Sequence, residues 1–550
     1  MQTEAKRVCI KNGIIVDGTG RPPFRGSVTI SGEKISGVFP EGETPPRSPE
    51  GAENIIDAQG AYITPGFIDI HRHGDFQALV SGDDELLNRQ GITTVINGNC
   101  GMSAAPAKGP YQEEISLFLE SVIGKKPDLP ASCPDPVISM SSYFDALKKA
   151  KRSVHTGMLS GAGTICASVS GYRPHALSLR ELQEIQEKIQ VSLDSGAFGI
   201  SLGIGYEPEI FYDLPGLISL LEPLRGGQIP ITVHIRTEGD GADQAVMEMI
   251  QLADALEIPV HLSHMKCIGR RNWIEMCSRE LSLLEEAREK GLNITMDTYP
   301  YVTGSTQLIH LIPPHFLADG VPVFLQRLED AAFRARVTEA LKKPSDSFEN
   351  IVELAGFENI APIGLRSISF QNEEGLTIQE IAEKRGKDPY ELLYDILADE
   401  KGTPAMLDRY GCEEDLVRFL KDPSCSLISD AIYPAGGGLH PRVYDAFPRF
   451  LIRYVRERKL FPIETAIRKM TAQPAELFGL ARGTLQADRP ADLCVFRLEK
   501  LRSRADFKNP RMFPEGFDYV FTAGKAAVCQ DHWTNTKTGQ VLIRQKEQDW

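Results

Sequence analysis

Eight short apolar runs recur along the chain, and most of them are followed by a segment with helical periodicity. Strand-like runs that alternate with helices are typical of α/β folds with a parallel sheet. Residues 179–196 and 243–257 are two of the intervening helical segments. Eight such units predict a (β/α)8 TIM barrel. The predicted strands are GFIDIHRH (66–73), TTVINGNC (93–100), TGMLSGAG (156–163), AFGISLG (197–203), PITVHIR (230–236), PVHLSHMK (259–266), NITMDTY (293–299) and CSLISD (425–430).

The spacing of these runs is uneven and predicts two excursions from the barrel. The interval between the seventh and eighth strands is too long for one crossover, so part of 304–424 is predicted to be an insertion, at about 305–360. The segment 101–136 is rich in Pro, Lys and Gly. We interpret this second excursion as a lid over the strand ends.

The two ends of the chain share short strand-like runs that are separated by Gly and Asp. This pattern of short strands and turns covers residues 7–63 and recurs in RGTLQADRPADLCVFRLE and DYVFTAGKAAVC. We therefore expect residues 1–64 and 476–550 to form one small β domain beside a catalytic barrel at 65–475.

Composition excludes several classes of function. The chain has 550 residues and a net charge of −15, which argues against nucleic-acid binding through a broad basic surface. It begins without a long apolar segment and has no run of about 18 uncharged apolar residues, so we predict neither a secretory signal nor a membrane span, and a cytoplasmic location. Its ten cysteines contain no CxxC pair, which favours reduced thiols. A homo-oligomer is compatible with the sequence.

Metal-binding side chains stand at the ends of the predicted strands, where TIM barrels build their active sites. The pair in HRH is two residues apart, so both imidazoles face one side of a strand. Zinc accepts imidazole, thiolate and carboxylate ligands, and a catalytic zinc keeps one position for water. The sequence therefore predicts a zinc centre. The six candidate ligands are His71, His73, Cys100, His234, His264 and Asp430.

Each candidate alone has an ordinary structural explanation. A single His in a barrel is more often a packing residue, a buried Cys is usually a small hydrophobic residue, and Asp430 could cap a helix. The joint placement of six such residues at strand ends favours the metal. Other histidines fall out of register or in loops, and we expect them to be structural. They are His155, His175, His261, His310, His315 and His532.

Several longer motifs point to a known family. "PGFIDIHRHGD" with its flanking β segments resembles the amidohydrolase superfamily. "GITTVINGNCGMSAAP", "HIRTEGDG", "HLSHMK", "MDTYPY", "SDAIYPAGGGLHPRVYDAFPRFLIRYVRE" and "MTAQPAELFGL" resemble the N-acyl-D-amino-acid deacylases, or D-aminoacylases. The likeness extends from about residue 7 to 528. It implies a barrel with a small β-sandwich domain and one or two zinc ions.

The resemblance also implies how the ligands divide. Cys100, His234 and His264 would hold the tighter metal. His71, His73 and Asp430 would surround a second, weaker site.

The sequence departs from the expected patterns at two places, one typical of many amidohydrolases and one typical of the deacylases. Many amidohydrolases bridge two metals with a carboxylated Lys on the fourth strand, but AFGISLGIGY has no Lys. Cys100 would take the bridging role instead, which disfavours the hydantoinase and dihydroorotase branches. Ala431 stands where the deacylases usually have Gly, beside the predicted catalytic Asp.

The predicted reaction is hydrolysis of the amide bond of an N-acyl-D-amino acid. Zinc would activate water and polarise the carbonyl, while Asp430 would move the proton from water to the leaving amine. The resemblance places Lys266, Arg442 and Tyr206 at the substrate carboxylate. Tyr299 or Tyr301 could donate a hydrogen bond to the substrate. Arg236 and Glu238 are in phase with His234 and could form a rim ion pair or contact substrate.

Two alternatives stay open at this stage. The chain could hydrolyse dipeptides or cyclic amides instead. It could also be a metal-free binding or scaffold protein on the same fold, although intact ligand candidates at every expected strand end argue against that.

Overall fold

The structure is a computed structural model and describes residues 7–43, 53–345 and 348–545. The outer ends of the predicted β domain, 1–6 and 546–550, lie outside the described residues. The N-terminal strands lead directly into the barrel, because β5 ends two residues before the first barrel strand begins. These strands are β1 (Arg7–Ile15), β2 (Phe24–Ser31), β3 (Lys34–Pro40), β4 (Glu53–Asp57) and β5 (Tyr62–Pro65).

The next strands form the parallel barrel wall. Neighbours along the chain pair in parallel, and nearly every residue in them is buried, as expected for strands covered on both faces. The third predicted strand is split in two by Leu159. The strands are β6 (Phe67–Arg72), β7 (Ile92–Asn97), β8 (His155–Met158), β9 (Ser160–Gly161), β10 (Ile200–Gly203), β11 (Ile231–His234), β12 (Val260–Leu262) and β13 (Ile294–Thr298).

An insertion follows β13. Its three strands form a separate antiparallel sheet in the order β14, β16, β15. The sheet draws on residues up to Arg409, beyond the predicted end of the insertion near residue 360. The strands are β14 (Thr303–Gln307), β15 (Ile360–Ile363) and β16 (Ala405–Arg409).

The eighth barrel strand, β17 (Cys425–Leu427), pairs with β13 and brings the chain back to β6. A parallel bridge joins Arg72 to Ala431, the Asp430 amide donates to the His71 carbonyl over 2.9 Å, and the His73 amide donates to the Ala431 carbonyl over 2.8 Å. These bonds close the ring. The prediction of a mixed α/β fold of the TIM-barrel type is confirmed.

The C-terminal strands return to the N-terminal ones. They are β18 (Leu493–Phe496), β19 (Phe517–Thr522), β20 (Lys525–Cys529) and β21 (His532–Trp533). Pairing of β18 with β5 joins both chain ends in one nine-stranded sheet. The arrangement of this sheet as a two-layered sandwich stays a prediction.

Helices cover the barrel. The predicted helix at 179–196 is α6, which begins with a capping box between Ser178 and Glu181 and buries Ile185, Ile189 and Leu193 along one stripe. In the described residues, no helix is both long and apolar enough to cross a membrane. A π-helix spans Leu451–Glu457. The α-helices are α1 (Asp75–Leu79), α2 (Asp84–Arg89), α3 (Gln112–Leu119), α4 (Met140–Ala150), α5 (Ala162–Ser170), α6 (Leu179–Asp194), α7 (Leu214–Leu221), α8 (Ala242–Leu256), α9 (Glu275–Glu289), α10 (Pro314–Leu317), α11 (Val321–Arg327), α12 (Ala331–Leu341), α13 (Ile351–Ala355), α14 (Ile378–Arg385), α15 (Pro389–Asp399), α16 (Glu413–Lys421), α17 (Arg442–Phe450), α18 (Ile463–Met470) and α19 (Ala472–Leu477).

The excursion at 101–136 is tied to the loop after the eighth strand. The Tyr433 amide donates to the Val122 carbonyl over 2.7 Å, and the Ala435 amide donates to the Glu120 carbonyl over 2.9 Å. Met102 and Val122 line the cavity described below. The excursion thus forms part of the wall above the barrel, the position expected of the predicted lid.

Candidate active site

The barrel brings the six candidate ligands to one rim. His71 lies within β6, His234 ends β11, and the others follow their strands by one to three residues. All six are buried. Parallel strands that end at one rim aim their last side chains into the same space, which explains why residues 359 positions apart in the chain, from His71 to Asp430, approach each other.

Two overlapping groups of three ligand atoms lie within 4.8 Å of one another. In the first, Cys100 Sγ lies 3.3 Å from Nε2 of His71 and 3.3 Å from Nε2 of His264. In the second, Asp430 Oδ1 lies 3.5 Å from Nε2 of both His71 and His73. His71 belongs to both groups and so links them.

His234 enters the cluster from the other side of His264. Its Nδ1 lies 2.9 Å from His264 Nε2, and a third group of potential ligands joins these two histidines to Glu238. The sequence had not placed Glu238 among the ligand candidates.

Three ligand candidates hold the backbone in the left-handed region. The φ angles are 54° at Cys100, 39° at His264 and 49° at Asp430. Non-glycine residues rarely adopt this region, and the strain costs about 1–3 kcal/mol at each position. The left-handed turn redirects each side chain just after its strand, so the strain is concentrated where the ligands converge.

Asp297 contacts the cluster from the side away from the cavity. It was not among the residues predicted from the sequence. Its Oδ2 accepts from His261 Nε2 over 2.9 Å and lies 3.4 Å from His71 Nδ1, while its Oδ1 accepts from the backbone amide of His264. Burial alone would raise the pKa of Asp297, but His71 and His261 hold it below its usual value. His261, predicted to be structural, therefore acts behind the site and not within it.

The cluster favours charged donors despite its burial. Burial raises the pKa of Cys100, but His71 and His264 overcome this and hold it well below its usual value. Burial and Lys266 lower the pKa of His264, whereas Cys100 and Glu238 raise it, to about 9 in total. A thiolate, several imidazoles and a carboxylate in one buried space form a donor set that suits zinc. His73 Nδ1 is buried and makes no hydrogen bond among the described residues.

A cavity opens onto the cluster. Barrel loops, the excursion at 101–136 and the insertion all contribute to its wall. The lining residues are His73, Cys100, Met102, Val122, Tyr206, His234, Glu238, His264, Lys266, Ile268, Tyr299, Gly304, Ser305, Thr306, His310, Glu349, Ile351, Asp408, Tyr410, Asp430 and Ile432.

The two predicted carboxylate-binding cations are both engaged with acidic residues. Lys266 Nζ lies 2.5 Å from Glu238 Oε1 and 2.7 Å from His264 Nδ1. One terminal nitrogen of Arg442 forms an ion pair with Asp430 Oδ2 at 2.9 Å and donates to the Ser305 carbonyl over 3.3 Å, and the guanidinium lies 4.4 Å from the centre of the Tyr299 ring. Its Nε and other terminal nitrogen make no hydrogen bond among the described residues. Arg442 stands behind Asp430, outside the lining of the cavity.

The three predicted tyrosines are placed differently. Tyr206 and Tyr299 line the cavity, and the Tyr206 hydroxyl lies 2.9 Å from Thr306 Oγ1. Tyr301 does not line it, since its ring packs edge-on against His440 at 4.8 Å. Strand β13 ends at Thr298, so the two-residue alternation that would align Tyr301 with Tyr299 no longer holds.

Three other residues near the site differ in where their side chains lie. Arg236 turns away from the site and pairs with Glu248 over 2.8 Å, whereas Glu238 points into the site. His310, predicted to be structural, lines the cavity and packs against the Tyr206 ring at 4.7 Å. Burial lowers the pKa of His310 to about 4, so it is a neutral imidazole near pH 7.

The insertion contributes lining residues that were not predicted from the sequence. Ser305, Glu349 and Asp408 are examples. They come from a three-stranded sheet and loops without a repeated unit. No strand-end pattern could have identified them.

Comparison with known proteins shows what this chain is similar to. Residues 317–528 match the model of the amidohydrolase family. N-acyl-D-glutamate deacylase of Alcaligenes xylosoxydans xylosoxydans is 29% identical over 97% of this chain and 96% of that protein.

Two solved structures extend the likeness to the fold. A D-aminoacylase with a binuclear metal centre, described as activated by one metal and attenuated by the second, has a TM-score of 0.78 at 28% identity, covering 98% of this chain and 99% of that one. N-acyl-D-glutamate deacylase from Bordetella bronchiseptica, complexed with zinc and a phosphonate mimic of the tetrahedral intermediate, has a TM-score of 0.79 at 28% identity, covering 98% and 100%. In sequence and in fold, the chain is thus similar to D-aminoacylase and N-acyl-D-glutamate deacylase, and its residues 317–528 match the amidohydrolase family.

Proposed function

We propose that this chain is a zinc-dependent hydrolase that cleaves the amide bond of N-acyl-D-amino acids, releasing a carboxylate and a free D-amino acid. The observation that carries the proposal is the buried cluster in which the Cys100 thiolate lies 3.3 Å from two imidazoles and borders Asp430 through His71. Relatives of similar length that carry the same fold are described as deacylases of this type, one of them with zinc.

Zinc would be held in two overlapping positions. Cys100, His234 and His264 are the proposed ligands of the tighter ion, and His71, His73 and Asp430 those of the weaker one. Cys100 is close to His71 as well as to His264, which suits the bridging role expected of it. When bound, the ion lowers the pKa of water and polarises the substrate carbonyl.

Asp430 is proposed to move the proton. Arg442 holds its Oδ2 at 2.9 Å, which leaves Oδ1 facing His71, His73 and the cavity. Burial raises the pKa of Asp430, but Arg442 and His73 hold it well below its usual value, so it is charged near pH 7. A charged carboxylate that is fixed at one oxygen can accept a proton at the other and return it to the amide nitrogen.

Lys266 and Arg442 are proposed to attract the substrate carboxylate. Their contacts decide how many donors each has free for it. An ammonium has three donors, and two of those on Lys266 face Glu238 and His264, which leaves one for a ligand. Arg442 has unused donors but stands behind Asp430. Tyr206 and Tyr299 present hydroxyls to the same cavity as candidate donors, whereas Tyr301 keeps no such role.

We also propose two domains. The barrel occupies 65–475, and the two chain ends form a small β-sandwich domain. The single sheet that joins β5 to β18 supports it. The insertion then belongs to the catalytic domain, because its residues line the cavity.

A substrate panel tests the activity. The zinc-loaded protein would be assayed with N-acetyl-D-amino acids, their L-enantiomers, dipeptides and hydantoins, with release of the free amine as the readout. We expect hydrolysis of the D-series and little of the L-series. Preferential cleavage of dipeptides or hydantoins would instead support the alternative amidohydrolase reaction.

A further inference from the structure

Four carboxylates line the cavity, and they differ in what neutralises them. Glu238 has Lys266 at 2.5 Å, and Asp430 has Arg442 at 2.9 Å. Asp408 and Glu349 have no such partner, since neither forms an ion pair within residues 7–43, 53–345 and 348–545. A buried carboxylate without a cation is costly, so this pair needs a separate explanation.

Asp408 is built into the cavity wall. It lies on β16, and its backbone pairs with Gly304 of β14. Its Oδ1 is buried and accepts no hydrogen bond among the described residues. A Cβ at position 304 would lie 2.6 Å from that oxygen, so Gly304 leaves the space that the carboxylate occupies. Burial raises the pKa of Asp408 to about 7.

Glu349 reaches the same cavity from the loop before α13. Its Oε1 accepts from the backbone amide of Glu238 over 2.6 Å and from the Thr237 hydroxyl over 3.1 Å. These neutral donors fix its position but do not balance its charge. Burial, with Glu238 adding to it, raises the pKa of Glu349 to about 8. Lys266 lowers the pKa of both groups from a distance, but its ion pair is with Glu238, so neither Asp408 nor Glu349 has a cation of its own among the described residues.

We propose that the substrate supplies this cation: Asp408 and Glu349 form the receptor for a positively charged D-side chain, such as the amino group of D-lysine or the guanidinium of D-arginine. The inference rests on the proposed function. Both acids come from the insertion, while the metal-binding residues come from the barrel rim. The scissile amide and the side chain would thus be held by separate parts of the molecule.

The same wall disfavours an acidic side chain. A D-glutamate or D-aspartate side chain would find no cation at this wall, and either of the two acids would repel it when ionised. The relative described as an N-acyl-D-glutamate deacylase would therefore differ from this chain in side-chain preference.

A comparison of wild-type substrates is the first test. The zinc-loaded protein is assayed with Nα-acetyl-D-lysine, Nα-acetyl-D-arginine, N-acetyl-D-leucine, N-acetyl-D-glutamine and N-acetyl-D-glutamate. We expect kcat/KM to be highest for the two cations and lowest for glutamate. Hydrolysis that is best on leucine, glutamine or glutamate would overturn the cationic receptor while leaving the deacylase activity standing. No hydrolysis of any of the five would overturn both.

Isosteric variants are the second test. Asp408→Asn should lower the ratio of kcat/KM for Nα-acetyl-D-lysine to that for N-acetyl-D-leucine by about 30-fold or more, because it removes one partner of a buried charge pair. Glu349→Gln, which keeps an oxygen for the Glu238 amide, should lower the same ratio. Asp399→Asn, at an exposed position that ends α15 in the same insertion, is the matched control and should leave the ratio unchanged. Equal losses on both substrates in both cavity variants would show that the two acids support only the structure.

Discussion

The cavity has two kinds of wall, and they are built on different principles. At the barrel rim, each metal-binding residue lies in or just after a buried parallel strand, and its position is fixed by the ring of strands. The insertion contributes a small antiparallel sheet and loops, which present Ser305, Thr306 and Asp408. A rim of this kind can carry the chemistry while the insertion varies, as TIM barrels do generally.

This difference separates the expected effects of mutation. Changes at the rim should remove metal and activity for every substrate. Changes in the insertion should alter which substrate is preferred. Loss of metal in insertion variants, or a change of substrate preference alone in rim variants, would show that the two walls do not have these separate roles.

The largest effect is expected from removal of a rim ligand. Cys100→Ala or His234→Ala should abolish most bound zinc and most activity together, because thiolate and imidazole would each contribute directly to binding the ion. Metal analysis and activity of the two purified variants check this. Asp399→Asn, from the exposed end of α15, is the control and should keep both. Full zinc retention in both ligand variants would remove the assigned site.

The next prediction separates proton transfer by Asp430 from metal binding. Asp430→Asn should fold and keep the tighter zinc but lower kcat by about 10²–10⁴-fold, since an amide of nearly the same shape cannot accept the proton. The measurements are kcat with a neutral N-acetyl-D-amino acid, zinc content and Tm. The Tm matters because the variant leaves the buried Arg442 without its ionic partner. A kcat within about tenfold of wild type would exclude the general-base role.

The rim was predictable from the sequence because strand ends have a regular signature. All eight barrel strands lie where the apolar runs placed them, and six ligand candidates followed from their phase. The insertion gave no such signal. Asp408 and Gly304 face each other only through a long-range antiparallel pairing, and Glu349 reaches the cavity from a loop. Asp297, although on a predicted strand, was missed because its contact with His71 depends on barrel geometry.

A substitution of Arg442 tests whether the rim also recognises the substrate carboxylate. Arg442→Ala should lower kcat/KM for both an N-acetyl-D-amino acid and an N-acetyl amine, because it removes the partner of Asp430. The loss should be about tenfold larger for the substrate with the carboxylate, since a charged hydrogen bond contributes about 1.5–3 kcal/mol. The ratio of the two losses is the quantity to measure. Equal proportional losses would show that Arg442 acts on Asp430 alone.

The smallest effect is expected where the two walls meet. Tyr206 follows β10 of the barrel, and its hydroxyl lies 2.9 Å from Oγ1 of Thr306 in β14 of the insertion. This hydrogen bond ties the rim to the substrate wall. Tyr206→Phe removes the hydroxyl but keeps the ring beside His234, which lies 4.6 Å away between centroids. We expect a loss of about 0.5–1.5 kcal/mol in unfolding free energy, the usual net value of one hydrogen bond, with zinc content unchanged.

A double-mutant cycle distinguishes this contact from a general loss of packing. Thr306→Val removes the partner hydroxyl at nearly constant shape, so the double variant with Tyr206→Phe should cost less than the sum of the single variants. Denaturant unfolding of the four zinc-loaded proteins gives the stability coupling, and kcat/KM gives the catalytic coupling. If the two substitutions act additively on both, the hydroxyl pair does not connect the walls, and the insertion must be held over the rim by its backbone and apolar contacts instead. If they couple in kcat/KM more strongly than in stability, the contact positions the substrate wall relative to the metal-binding rim, and the two regions act as one site despite their different construction.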